Sequence, residues 1–286
     1  MHQKLSTLYE VYSNGSLDRR EFFKRLAVLY GGTATAYILL SQLETKAVTA
    51  DIISKDDTRL HTETVLYPGH TGDVRAYWAR PKGKEELPGV IVIHENRGLN
   101  DHIKDVTRRM ALEGFLAIAP DALSPFGGTP EDPSEIRSQF RELDNQNTVK
   151  NFVAAVQYLK THPLSTGKVG CTGFCWGGGM TNQVAVNSPD LLAAVPYYGN
   201  QPANEEVSKI KASMILHYAS LDERINRGIP AFEKALKSSK IDYKIYMYEG
   251  AQHAFNNDTN ESRYNKKAAQ LAWKRTVDFF KIKLQT

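Results

Sequence analysis

A chain of 286 residues with 41% hydrophobic and 24% charged side chains has the composition of an ordinary globular protein, which excludes disorder along its whole length. The net charge of +4 is spread over 36 basic and 32 acidic residues with no long run of one sign, and the basic residues do not interleave with aromatics, so nucleic-acid binding has no support. The two cysteines, Cys171 and Cys175, exclude a disulfide framework, sit too far apart along a strand to bridge, and offer too few ligands for zinc.

Residues 1–60 read as a separate N-terminal helical extension. Asp18-Arg19-Arg20-Glu21-Phe22-Phe23-Lys24 resembles a twin-arginine export motif. An apolar, small-residue stretch follows from Leu26 to Leu40, and Val48-Thr49-Ala50 has the small residues of a cleavage site. The competing reading is a retained pair of amphipathic helices, Leu5–Tyr12 and Arg19–Leu43. Asp18 stands where export signals carry Ser or Thr, and 18 residues precede the arginines, which favours retention and a cytoplasmic location over export. Gly, Thr and Tyr dilute the apolar stretch below the roughly 20 residues of a stable membrane span.

Residues 61–286 alternate strands and helices. Thr62–Tyr67 and Val74–Trp78 read as strands joined by a turn at Pro68, Gly69 and Gly72. Val90–Ile93 is a continuous apolar run, as expected of a strand buried on both faces. Helical spacing over Asp101–Glu113 leads to a strand at Phe115–Ala119 and a Pro/Gly-rich loop to Pro133. The spacing then predicts a helix at Val149–Leu159, a strand at Lys168–Thr172 and a helix at Met180–Val186. Strands follow at Ala193–Tyr197 and Met214–Tyr218, then a helix at Ile229–Leu236, a strand at Tyr243–Tyr248 and a helix at Ala268–Phe280. Such alternation implies an α/β fold with a mostly parallel sheet covered on both faces, and an active site on the loops at the carboxyl ends of the strands.

Gly173-Phe174-Cys175-Trp176-Gly177 lies between a strand and a helix, the setting of a nucleophile elbow. The helix N-terminus there favours a thiolate at Cys175, and the Trp176 N–H can serve a developing oxyanion. The bland alternative is a structural cysteine on a Gly-rich packing turn. Cys171, inside the strand, reads as a small core residue. A thiol nucleophile needs a base, and the base needs an orienting group. Only His217 and His253 follow Cys175. His217 falls within an apolar strand and reads as a core histidine, whereas His253 follows the last strand. Asp222 stands at the carboxyl end of Met214–Tyr218, with Glu223 as the neighbouring alternative and a helix cap as its non-catalytic reading. In His94-Glu95-Asn96-Arg97-Gly98, after the apolar strand, the Asn96 N–H is the candidate second oxyanion donor. Glu95 and Arg97 are candidate site residues or a rim salt bridge.

Taken together, the Glu95 loop, the Gly173–Gly177 elbow, Asp222 and His253-Ala254-Phe255 resemble, in order and spacing, the dienelactone hydrolase family of the α/β-hydrolase superfamily. The resemblance covers about Thr62 to Phe280. It implies hydrolysis of a small-molecule ester or lactone without metal or cofactor. By resemblance Cys175, Asp222 and His253 form the triad, Trp176 and Asn96 the oxyanion hole, and Glu95 the extra carboxylate that contacts the resting thiol and moves when substrate binds. The family holds a substrate carboxylate with two arginines, one after the Pro-Asp strand end and one shortly after the histidine. Neither Pro120–Pro125 nor His253–Ser262 contains an arginine, which leaves Arg97 as the candidate substrate-binding cation. The competing classes are a redox thiol protein using Cys175 and a binding module on the same fold. Oligomeric state is not legible.

Overall fold

The structure is a computed structural model that describes Leu8, Leu17 and residues 19–32, 53–83 and 85–285. The chain divides into two compact units, Met1–Ala50 with Thr259–Ser262 and Asp51–Asp258 with Arg263–Thr286.

In the smaller unit, helix α1 spans Arg19–Tyr30. Phe22 and Leu26, one turn apart, are buried with Leu17. The helix predicted to reach Leu43 stops at Tyr30, because Gly31 (φ 79°) turns into the left-handed region that ends helices. Residues 33–43, the Leu5–Tyr12 helix apart from Leu8, and the candidate cleavage site at Val48–Ala50 lie outside the described residues.

The larger unit is built on one sheet of eight strands in the order β1-β2-β4-β3-β5-β6-β7-β8. β1 (Leu60–Gly69) and β2 (Gly72–Pro81) form a hairpin, and β2 runs antiparallel to β4 (Leu116–Pro120). From β4 onward every pairing is parallel, through β3 (Leu87–Ile93), β5 (Ser165–Phe174), β6 (Ala193–Tyr197), β7 (Ser213–Ala219) and β8 (Tyr243–Tyr248). The apolar runs split by alternation. Ile91, Ile93, Leu116 and Ile118 face one core with α4 (Asn145–Thr161), α5 (Trp176–Asn187) and α7 (Ile229–Ser238). Val90, Val92, Ala117 and Ala119 face the other with α2 (Asp101–Leu112) and α8 (Lys266–Leu284). A sheet covered on both faces needs strands apolar on both, which is what makes Val90–Ile93 an unbroken run.

Two helices were not anticipated. α3 (Pro133–Glu142) follows the Pro/Gly-rich loop, capped by Asp132 with Pro at its start, and none of its residues is fully buried. A polar helix on the surface leaves little apolar periodicity to read. α6 (Glu223–Asn226) is a single turn capped by Asp222.

α5 enters the sheet at very close quarters. A Cβ on Gly177 would lie 2.4 Å from the carbonyl oxygens of His94 and Ile93, and one on Gly173 would lie 2.3 Å from that of Gly177. These are backbone atoms of paired strands and a helix, so they cannot step aside. Replacing Gly177 with Ala is expected to cost about 1–3 kcal/mol as overpacking. Thermal unfolding checks this: a Tm equal to wild type would mean the elbow is looser than described.

Candidate active site

Each candidate residue sits at the carboxyl end of a strand, where a parallel sheet exposes its loops. Cys175 lies between β5 and α5 with φ 56° and ψ −115°, a conformation that side chains rarely adopt. Its N–H donates to the Tyr197 carbonyl (3.1 Å) and its carbonyl accepts from Gly179 N–H (3.2 Å), so both faces of the strained residue are tied down. The half-buried thiol is free of any disulfide. Trp176 is the first residue of α5, so its N–H has no acceptor within the helix. Among the described residues, four non-glycine positions have positive φ, and Cys175, Tyr198 and Ala254 are three of them. Backbone strain of this kind concentrates at working sites.

His253 follows β8 and is buried, and its Nδ1 lies 2.5 Å from Asp222 Oδ2. Asp222 follows β7 and is buried too, and its Oδ1 accepts from Ile225 N–H (3.4 Å). The carboxylate therefore caps α6 with one oxygen and meets the histidine with the other. Glu223 points away as the exposed first residue of α6. Burial works against a charged His253 ring. The negative charge of Cys175 and the Asp222 bond outweigh it and raise the ring to about 10.

Glu95 is buried behind β3, and its Oε2 accepts from Asn257 Nδ2 (2.7 Å). Asn96 and Arg97 follow it, both half-buried. Sequence reading missed Asn257 and Tyr198. Asn257 stands four residues after His253, a spacing that would have marked it once the histidine was chosen. Tyr198 is the residue immediately after β6, buried, with its ring 5.0 Å from that of His253. Burial raises its phenol well above the usual range, and the negative charges of Glu95 and Cys175 add to that. The strand-end rule that located the other residues applies to Tyr198 as well.

The remaining candidates fall outside the site. His217 is buried in β7, with Tyr248 Oη 2.8 Å from Nδ1 and Thr276 Oγ1 3.1 Å from Nε2. Burial pushes it down to about 3, helped by Arg275. Cys171 is buried in β5, where burial pushes its thiol up to about 12 despite a contact with Thr181. Among the described residues no group of His, Cys, Asp and Glu has the arrangement of a metal site. No described helix is long and apolar enough to cross a membrane.

A sharp strand–cysteine–helix turn in the middle of a parallel sheet, with an acid after β7 and a histidine after β8, defines an α/β-hydrolase. The chain belongs to the dienelactone hydrolase family, whose model matches residues 74–284. It is 32% identical over 255 residues to a Saccharolobus solfataricus protein named "Putative carboxymethylenebutenolidase", covering 76% of this chain and 97% of that protein. It is 38% identical over 216 residues to Protein usf of Aquifex pyrophilus, covering 73% and 93% respectively. Among solved structures, a dienelactone hydrolase-like promiscuous phosphotriesterase from metagenomic libraries superposes with a TM-score of 0.71 at 25% identity, covering 79% of this chain and 99% of that one. The protein is a hydrolase of the dienelactone hydrolase type.

A ring raised to about 10 keeps its proton through neutral pH and releases it only in the alkaline range. A titration of the His253 imidazole followed by nitrogen NMR is expected to show protonation at pH 8. Asp222→Asn removes a charge that favours the imidazolium, so the midpoint is expected to move down. A His253 midpoint near the ordinary 6.5 in wild type would contradict this electrostatic description.

Proposed function

We propose that the protein cleaves a carboxylic ester or lactone through Cys175, His253 and Asp222, by way of a thioester. The observation that carries the reading is the buried His253–Asp222 bond beside a strained cysteine at the N-terminus of α5. In the attacking state the pair is thiolate and imidazolium. The thiolate attacks the carbonyl carbon, forming the C–S bond and moving the π pair onto oxygen. Trp176 and Asn96 N–H groups receive that oxyanion. Collapse breaks the C–O bond, and His253 gives its proton to the departing alkoxide. The neutral imidazole then takes a proton from water, whose oxygen attacks the thioester. The acid leaves, and thiolate and imidazolium are restored. Asp222 holds the Nδ1 proton in place throughout, as an orienting carboxylate does.

Glu95 is assigned to the resting thiol, with the Asn257 amide holding it aside. Arg97 is assigned to a carboxylate on the substrate. The Pro120–Pro125 and His253–Ser262 segments offer no arginine for that task. A redox thiol would leave the His253–Asp222 bond without a use, and a degenerate binding module would lack a triad member.

The test is a turnover screen with p-nitrophenyl esters of increasing acyl length, a dienelactone and simple lactones, on wild type and Cys175→Ala. Wild-type turnover of at least one ester or lactone is expected, reduced at least about a thousandfold in the variant. Full activity in Cys175→Ala would refute the mechanism. Arg97→Ala is expected to raise KM for carboxylate-bearing substrates about tenfold or more and to leave neutral esters unaffected. An equal effect on both would remove Arg97 from substrate binding.

A further inference from the structure

His94 is a fully buried histidine that the mechanism does not use. Both ring nitrogens are engaged. Nε2 accepts from Ala122 N–H at 3.0 Å, and Nδ1 lies 2.7 Å from the Glu95 carbonyl oxygen. A backbone N–H can only donate, so Nε2 carries no proton. The proton of the neutral ring is therefore on Nδ1 and points at the Glu95 carbonyl. Burial keeps the ring neutral by pushing it below the usual imidazole range, against the opposing pull of Asp121 and Glu95.

The carbonyl that His94 holds belongs to the peptide unit whose other end is the Asn96 N–H. A trans peptide is planar, with its C=O and N–H pointing in opposite directions. Fixing the oxygen therefore fixes the direction of the Asn96 N–H. The same ring stacks on Trp176, with centroids 5.5 Å apart and planes 15° from parallel. Phe140 of α3 closes edge-on over both, 5.9 Å from His94 and 5.1 Å from Trp176. One side chain thus contacts both the Trp176 side chain and the peptide unit that carries the Asn96 N–H.

The far end of the loop is tied to the same neighbour. Leu99 N–H donates to Thr129 Oγ1 (2.9 Å), which donates to Asp121 Oδ1 (2.8 Å). Asp121 also accepts from Thr129 N–H (2.7 Å) and Leu123 N–H (3.0 Å). Gly98, at φ 72°, leaves no room for a Cβ against Thr129. Loops 94–99 and 121–129 are joined at both ends, by Ala122 to His94 and by Thr129 to Leu99.

We infer that His94 is a positioning residue that aims the Asn96 N–H at the oxyanion by holding the Glu95 carbonyl, with Thr129 anchoring the other end of the loop. The inference rests on the thioester mechanism proposed above, in which that N–H receives charge. Removing His94 takes the shorter of two hydrogen bonds from the Glu95 carbonyl, leaving it only the longer one from Gly98 N–H (3.3 Å), and loosens the Glu95–Asn96 peptide without touching Cys175, His253 or Asp222.

The test uses the full chain and three readouts: kcat and KM on a p-nitrophenyl ester, the rate of Cys175 alkylation by iodoacetamide, and Tm. Alkylation needs the thiolate and no oxyanion hole, so it separates the two parts of the site. His94→Phe keeps an aromatic ring against Trp176 and removes both nitrogens. It is expected to lower kcat about a hundredfold, with KM within about threefold and alkylation within about twofold of wild type. Should that variant fail to unfold cooperatively, Thr129→Val carries the test, with an expected loss of about tenfold in kcat and unchanged alkylation. Wild-type kcat in the folded variant, or alkylation falling in step with kcat, would overturn the inference. Cys175→Ala measured alongside guards the premise: if it retains turnover, the underlying mechanism fails, and that failure is distinct from an idle His94.

Discussion

The backbone of Cys175, at φ 56° and ψ −115°, is the constraint around which the larger unit is arranged. A side chain in that region costs of order 1–3 kcal/mol and persists only where its surroundings over-determine it. Here the surroundings are β3, β5 and β6, all parallel and all ending at one level, and α5 entering between them on glycines. The bonds from Cys175 N–H to Tyr197 and from Gly179 to the Cys175 carbonyl leave the turn no other path. What the strain supplies is exposure of the thiol at the head of a helix whose first N–H groups have no internal acceptor.

Once the sulfur is fixed, parallel topology supplies the rest. β7 and β8 lie on one side of β5 and end in Asp222 and His253; β3 and β4 lie on the other and end in His94–Arg97 and Asp121. The His253–Asp222 pair and the His94–Arg97 loop thus flank Cys175 from opposite sides. The charges are arranged economically. Asp222 divides its two oxygens between a helix cap and His253, and the buried Glu95 is met by a neutral amide from Asn257. A buried carboxylate without such partners would be costly.

Much of this was legible in the sequence because its signals are local. The two-faced run Val90–Ile93, the glycines around Cys175, and the order cysteine, acid, histidine each follow from short stretches read in chain order. His217 and Cys171 were separable from the candidate site residues because they fall inside apolar strands, and burial shifts both away from reactivity. The residues that escaped notice depend on contacts made across the sheet. Tyr198, Asn257 and His94 acquire meaning only when β3, β6 and the loop after β8 come together. α3 escaped because its contact with the site passes through one half-buried residue, Phe140, on an otherwise polar helix. The overlong helix prediction after Arg19 failed because small apolar residues hid the stop signal of Gly31 and Gly32.

The claim on which the chemistry turns is a covalent bond between substrate acyl group and Cys175. The most direct measurement is mass spectrometry of enzyme mixed with a p-nitrophenyl ester and quenched in acid within one turnover, followed by peptide mapping. One adduct of the acyl mass is expected, on the peptide carrying Cys175, disappearing at the rate of steady-state turnover. Turnover with no adduct at any quench time, or with the acyl group on another residue, would contradict the thioester mechanism.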